Sequence, residues 1–436
     1  MEISSKPGPL SGVKVLDFTW VLAGPHATKT LADMGADVIK VERYKVGANE
    51  RWQYLPIERD GVTQSSYHIN VNRSKRSLCI DVKRPQGIVI IHELIKKCDI
   101  LIENFAPGAM DRLKLDYESA KKINPNIIYC SISCFGHWGP ESHKPGYDVI
   151  AQAASGWTEQ SEGGNMAPFS VGDTIAAMHA CTAILAALHH KVMTGQGQNI
   201  DISMVDCLFT LPENAFPWYW SSQTKGGKPI MMNKTGQKSP FYAPFGIYNG
   251  KDGKIAIATL TDARWAPLVD LLGPEFQWMK TDPKTKDLAG RSIPENAKIV
   301  NDAIESWVTS LDSVREAERQ LEKVGVPCAR AKNVAELATT DPQIEARDMK
   351  PVVYQPFMGP MNMYGSPLKF SETPSCIRRY APFLGEHNRE ILSKTLGYSP
   401  EQIENLYTEN VLYQAPEVER LTEEIKKNEV SCGKII

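Results

Sequence analysis

In the stretch SVGDTIAAMHACTAILAALHH, residues 170–190, one carboxylate, Asp173, stands directly before the longest apolar run of the chain. Such a carboxylate has two uses. It can cap the helix that the apolar run forms, since Ser170-Val171-Gly172-Asp173 has the form of a capping box in which Asp173 takes backbone N–H bonds near the helix start. It can also be a nucleophile, because the positive end of a helix dipole keeps a carboxylate ionised where water is scarce, and Gly172 leaves room for a ligand to approach. Local sequence leaves both uses open. The other chemically capable residues are plainer. The nine cysteines are scattered without paired CxxC spacing, which suits reduced thiols in an intracellular setting. Cys130 and Cys134, four apart in IIYCSISC, share one strand face, but no second Cys or His pair stands at ligand spacing, so they read as buried thiols and no metal site is expected. His189 and His190, with Lys191, close the long helix where cations suit the dipole, and no catalytic role is assigned to them.

The elements that must position Asp173 follow from the periodicity. VKVLDF, a helix that takes Pro25 as an early residue, and ADVIKVER make a strand–helix–strand unit. The alternation continues through SLCIDV, a helix opening near Pro85, DILIENF, a helix from about Gly108 to Lys122, and NIIYCSIS. Five strands alternating with helices predict an α/β fold on a mostly parallel, doubly wound sheet. In such sheets ligands sit beyond the carboxyl ends of the strands, which here carry Asp17-Phe18-Thr19, Glu42-Arg43, Glu103-Asn104-Phe105 and Ser133-Cys134-Phe135-Gly136. A Glu closing the second strand is what an NAD ribose would need. The turn DFTWVLAGPHA, however, has one glycine where a pyrophosphate turn needs GxGxxG, so a dehydrogenase is rejected. After the long helix, TGQGQNIDISM reads as a glycine-rich turn and a further strand, and its glycines suit either turn punctuation or a phosphate cradle.

Composition shifts at residues 216–240, rich in aromatics, Gly, Pro and Lys, and this marks a domain boundary. Beyond it come a hairpin around NGKDGK and amphipathic helices, a second and smaller domain. The tail from about residue 414 is charged helix or fray with no visible chemistry. The formal net charge of −2, with basic residues spread along 436 positions, argues against a nucleic-acid partner. The first dozen residues lack an apolar signal core, and an apolar run of about thirteen residues is short of the ~20 that span a bilayer. A soluble, cytoplasmic protein without membrane partner is expected.

Several motifs now stand together: PLSGVKVLDFTWVLAGP, GADVIKVER, NRSKRSLCIDVKRPQG, ILIENFAPGAMDRL, GYDVIAQAASG, SVGD, TGQGQNIDISMVD, GVPCARAKNVAEL and APFLGEHNREIL. From about residue 9 to about 410 the chain resembles the class III CoA-transferases, a family that includes formyl-CoA and carnitine CoA-transferases and the related α-methylacyl-CoA racemases. The resemblance implies a Rossmann-like CoA-binding large domain from residues 1–215, a small α+β domain from 225–345, a segment 346–436 that returns to the large domain, and two chains interlocked as a homodimer. It implies acyl-CoA and carboxylic acids as substrates, with coenzyme A a substrate and no prosthetic group. It also makes Asp173 the nucleophile that carries CoA between the acids. Tyr147, in the GYD motif, stands where the racemase branch has the histidine of its proton-transfer pair, so CoA transfer is favoured over racemisation of a 2-methylacyl-CoA, and Tyr147 becomes a candidate partner of the anhydride or acceptor. The family's CoA contacts carry over to Arg43, Ile80, Asn104, Phe105, Arg112 and Leu113; the two guanidinium groups suit phosphates. Arg73, Lys75 and Arg76 are read as either an addition to that phosphate site or a solvated basic turn. Trp20 and Leu22 replace the His and Gln of the formyl-CoA enzyme, and MMNKTGQKSPFYAPFG stands where its tetraglycine loop would be. Formate and oxalate are therefore not the expected acids. Trp20, Leu22 and Trp218 to Trp220 point to a bulkier acyl group, the last three being equally suited to packing between domains.

Overall fold

The computed structural model describes residues 6–431 except 55, 161, 213–214, 225–235 and 240–241. These divide into two compact units, one from Met1–Trp157, Ala167–Pro212 and Pro342–Ile436, the other from Thr158–Met166 and Glu213–Asp341.

In the first unit six strands run parallel: β1 (Lys14–Asp17), β2 (Asp37–Arg43), β3 (Arg76–Ile80), β4 (Ile100–Glu103), β5 (Ile128–Ser133) and β6 (Asn199–Ser203). Their spatial order is 3-2-1-4-5-6, the dinucleotide-fold order, with its switch point between β1 and β4. The strand read in NIDIS is thus the sixth of one sheet. Successive side chains alternate between two cores, as period 2 requires. Val15, Ile100, Ile102, Ile128, Cys130 and Ile132 pack on one face with α1 (Ala23–Asp33) and α6 (Val171–Thr194). Leu16, Ile39, Leu78, Leu101 and Tyr129 pack on the other with α3 (Pro85–Lys97). Both cores are almost wholly aliphatic, which is why the strands read as continuous apolar runs.

Some local expectations change. The helix expected from Gly108 to Lys122 is two short ones, α4 (Ala109–Leu113) and Tyr117–Ile123, because Lys114 takes a left-handed φ of 56° and Asp116 caps a new start by accepting from Ser119 N. The long helix α6 extends past His189 and His190 to Thr194, where Gly195 stops it at φ 77°. Ala176, Ala177, Ala180, Ile184 and Ala187 are buried, but Met178, Leu185, Val192 and Met193 are exposed, so it is apolar all round yet covered on one face only. Over its whole length it is long and apolar enough to cross a membrane, unlike the shorter apolar run within it.

The motif APFLGEHNREIL covers an edge. The free side of β3 is taken up by the returning chain: Cys79 N donates to Asn388 Oδ1 at 2.8 Å, His387 N to Ser77 O at 3.1 Å and Asp81 N to Val411 O at 2.9 Å. An uncovered edge strand would be a template for aggregation. In the second unit β7 (Phe245–Asn249), β8 (Lys254–Ala258) and β9 (Cys328–Arg330) form an antiparallel sheet in the order 9-8-7, packed with the helices Trp265–Leu272, Pro294–Ser310 and Val314–Lys323. Trp218 to Trp220 lie on the helix Ala215–Thr224 of this unit. Much of MMNKTGQKSPFYAPFG falls outside the described residues.

Candidate active site

Asp173 is the third residue of α6, and it does not cap that helix. Ser170 makes no side-chain cap bond. The cap comes from a distant residue: the buried Asp148, first residue of α5 (Asp148–Ala154), accepts from Gly172 N at 2.6 Å and Asp173 N at 3.2 Å. Gln152, fully buried one turn along, donates to Asp148 Oδ2 at 2.5 Å and accepts from Ala167 N at 2.8 Å, which fixes the capping carboxylate. Gly172 is buried too. A Cβ there would lie 3.0 Å from Asp148 Oδ1 and 3.1 Å from Leu208, so the glycine makes room for the cap rather than for a ligand. With the backbone donors satisfied by Asp148, the Asp173 carboxylate is free to face a cleft.

That cleft, about 140 Å³, lies beyond the carboxyl ends of β1, β4 and β5, at the switch point. Asp173, Tyr147, Asn104, Phe105, Trp20, Ser133 and Cys134 all line it. Asn104 ties the two turns together across the switch: its amide accepts from Trp20 N at 2.9 Å and donates to Trp20 O at 2.8 Å. Trp20 packs 5.9 Å from Phe105 between ring centroids, and Arg43 lies 5.7 Å over the Trp20 ring. Arg43, Trp20, Asn104 and Phe105 thus form one continuous wall. Arg112 is exposed on α4, which follows the cleft-lining Ala106 and Pro107, and it has no ion-pair partner among the described residues; Leu113 beside it is half-buried. Ile80 is the exception. It is 1% exposed inside the core, so its side chain has no surface to offer a ligand.

The electrostatics of Asp173 differ from the helix-dipole expectation. Burial first, and the negative charge of Asp148 second, push its carboxyl up to about 7, against the N–H of Ala23, which donates to it. Ala23 opens α1, so the carboxylate faces the starts of two helices, but desolvation outweighs them. Tyr67, on the short α2 (Ser66–Asn72), has its phenol pushed up by burial and by the Asp173 charge, which places it in the neighbourhood of the carboxylate. Nothing in SSYHINVN announces this; only the fold reveals it.

Arg73, Lys75 and Arg76 are neither a phosphate site nor a solvated turn. Lys75 is fully buried against Asp17 at 3.2 Å, Arg73 against Asp33 at 2.9 Å, and Arg76 forks onto Asp37 at 2.8 and 2.6 Å. Buried cations need such partners. The same polar layer holds the first turn in shape. Fully buried Glu50 pairs with Lys40 at 2.9 Å and accepts from Val21 N at 2.9 Å. Val21, a β-branched residue at φ 64°, lines the cleft in a backbone conformation that costs about 1–3 kcal/mol and persists only when the surroundings hold it. Glu50 does that, and no sequence signal marked it.

A family model, CoA-transferase family III, matches residues 10–388. Human succinyl-CoA:glutarate CoA-transferase is 32% identical over 414 residues, covering 93% of this chain and 90% of its own length. Formyl-CoA:oxalate CoA-transferase of Bradyrhizobium diazoefficiens is 34% identical, covering 92% and 97%. Among solved structures, a CAIB/BAIF family protein from Brucella suis superposes with a TM-score of 0.76 at 31% identity, over 89% of this chain and all of that one. A match over nearly the whole length, on a sheet whose switch-point cleft holds the expected carboxylate, means that this chain is an enzyme of CoA-transferase family III.

Proposed function

We propose that Asp173 is the nucleophile of a CoA transfer between two carboxylic acids. The observation that carries this is the freed carboxylate: the N-terminus of α6 is capped by Asp148, and Asp173 is left facing the cleft. A carboxylate oxygen attacks the acyl-CoA carbonyl, giving a mixed anhydride and releasing CoA thiolate. The thiolate attacks the aspartyl carbonyl of that anhydride, giving an aspartyl-CoA thioester and freeing the first acid. The acceptor carboxylate then attacks the aspartyl-CoA thioester, giving a second mixed anhydride and releasing CoA thiolate, and the thiolate attacks the acceptor's acyl carbonyl in that anhydride, giving the new acyl-CoA and a regenerated Asp173 carboxylate. Each intermediate is as activated as the thioester it replaces, so the energy of the first bond is conserved. Tyr147, whose side chain stands open in the cleft, is proposed to hydrogen-bond the anhydride or the incoming acid. Arg43, Asn104, Phe105, Arg112 and Leu113 hold CoA, the guanidinium groups meeting phosphates.

The acyl group is proposed to be bulkier than formyl, because Trp20, Phe105, Phe135 and Met204 line the cleft beside Asp173. A homodimer with interlocked chains, working in the cytoplasm, is proposed from the resemblance; the exposed apolar face of α6 supports burial against a second copy. Incubation with a panel of acyl-CoA donors and hydroxylamine, followed by peptide mapping, is the test: an Asp173 hydroxamate is expected. Deuterium exchange at the α-carbon with no such adduct would establish a racemase instead. For the dimer, two separately folded preparations with different tags are mixed. Mixed dimers within minutes under native conditions would exclude interlocked chains.

A further inference from the structure

Ser133 ends β5, in register with Ser203 of β6. The Ser203 hydroxyl is fully used, donating to Cys134 O at 3.3 Å and accepting from Asp206 N at 3.1 Å. The Ser133 hydroxyl is not. Its residue is 7% exposed, its oxygen is buried, and it has no hydrogen-bond partner among the described residues. Of the buried side-chain atoms left unpaired among the described residues, it is the one on a residue that lines the Asp173 cleft. The next residue, Cys134, has its thiol pushed up to about 11 by burial first and then by the charges of Asp173 and Asp148, which places this strand end within reach of the nucleophile's field.

A buried hydroxyl without a partner costs stability, because folding strips its water and returns nothing. Such a cost is retained where a ligand supplies the missing bond. Resting on the reading of Asp173 as nucleophile, we propose that Ser133 touches the acyl group and donates its hydroxyl proton in a hydrogen bond to the carbonyl oxygen that Asp173 attacks. As the carbonyl carbon becomes tetrahedral, that oxygen gains negative charge and the bond strengthens. A donor placed this way lowers the barrier more than it tightens binding. Ser133 forms no covalent bond; the proton stays on the serine oxygen.

The test compares wild type with Ser133→Ala on the full chain. Three quantities are read: the melting temperature without ligand, the dissociation constant for free CoA, and the rate of Asp173 hydroxamate formation. The donors are acetyl-CoA, succinyl-CoA and a longer straight-chain acyl-CoA. The expected result is a melting temperature equal to or above wild type, CoA affinity within about twofold, and hydroxamate formation slower by about tenfold or more. Hydroxamate formation within twofold of wild type overturns the assignment. So does a slow variant that also melts lower and binds CoA weakly, since that pattern belongs to a packing role. If wild type itself gives no Asp173 hydroxamate with any donor, the nucleophile reading has failed, an outcome distinct from both.

Discussion

Replacing Asp173 by Asn should abolish transfer and stabilise the ligand-free enzyme. The Asp173 carboxyl lies at about 7 against an ordinary 3.8, raised first by burial and then by Asp148. The interval is roughly 3 pH decades, each worth about 1.4 kcal/mol, so ionising this group in the fold costs about 4 kcal/mol at alkaline pH. The sign follows from the direction. A carboxyl whose folded value is raised favours the fold while protonated, and this contribution is lost as pH rises through 7. Asn is neutral throughout, keeps an oxygen for the Ala23 N–H, and carries no charge towards Asp148. Its advantage over Asp should therefore be near zero at pH 4, grow across pH 4–7 and be full by pH 8. Melting temperatures of both proteins, taken at equal concentration because association shifts apparent stability, should coincide at pH 4 and separate by several degrees at pH 8. Equal melting at pH 8, or an offset that does not vary with pH, would refute the assignment of a desolvated, charge-strained carboxylate.

The same electrostatics predict that the rate of hydroxamate formation rises with pH through about 7, as Asp173 ionises, and that Asp148→Asn moves this limb to lower pH, since a like charge is removed while burial, the larger cause, remains; an unmoved limb would count against Asp148 as a perturber. Lys75→Met strands Asp17 without its buried cation and should cost about 3–5 kcal/mol in chemical denaturation, with the CoA affinity of the folded protein retained. Weaker CoA binding at unchanged stability would return Lys75 to the phosphate site. Arg112→Ala, at an exposed position with no ion-pair partner among the described residues, should leave stability unchanged and weaken every acyl-CoA by a similar factor in calorimetric titrations. Altered preference among acyl groups at constant CoA affinity would contradict that role.

What the sequence determined by itself is the set of features that rest on short-range pattern. Alternating strand and helix periods specified a parallel sheet, and the absence of GxGxxG excluded a dinucleotide turn. The motifs from PLSGVKVLDF to APFLGEHNREIL identified the family and, within SVGD, the residue to watch. What the tertiary structure decided are the pairings between distant positions. Asp148 caps a helix that starts more than twenty residues later, so the capping reading of Asp173 gave way although its local pattern was sound. Gly172 serves the neighbour's carboxylate rather than a ligand, a fact visible only once Asp148 is in place. Lys75 and Arg73 read as part of a phosphate site or a solvated basic turn because charge normally seeks water or a counter-ion. The fold buries them by bringing Asp17 and Asp33, 58 and 40 positions away, into contact. Tyr67 and Glu50 carry no motif, and Ser133, which the sequence placed at a strand end, shows its unpaired hydroxyl only in the fold, because these roles depend on neighbours that the chain places beside them only on folding. Residue type is a local property, whereas burial, charge partners and an unsatisfied bond are properties of the assembled site.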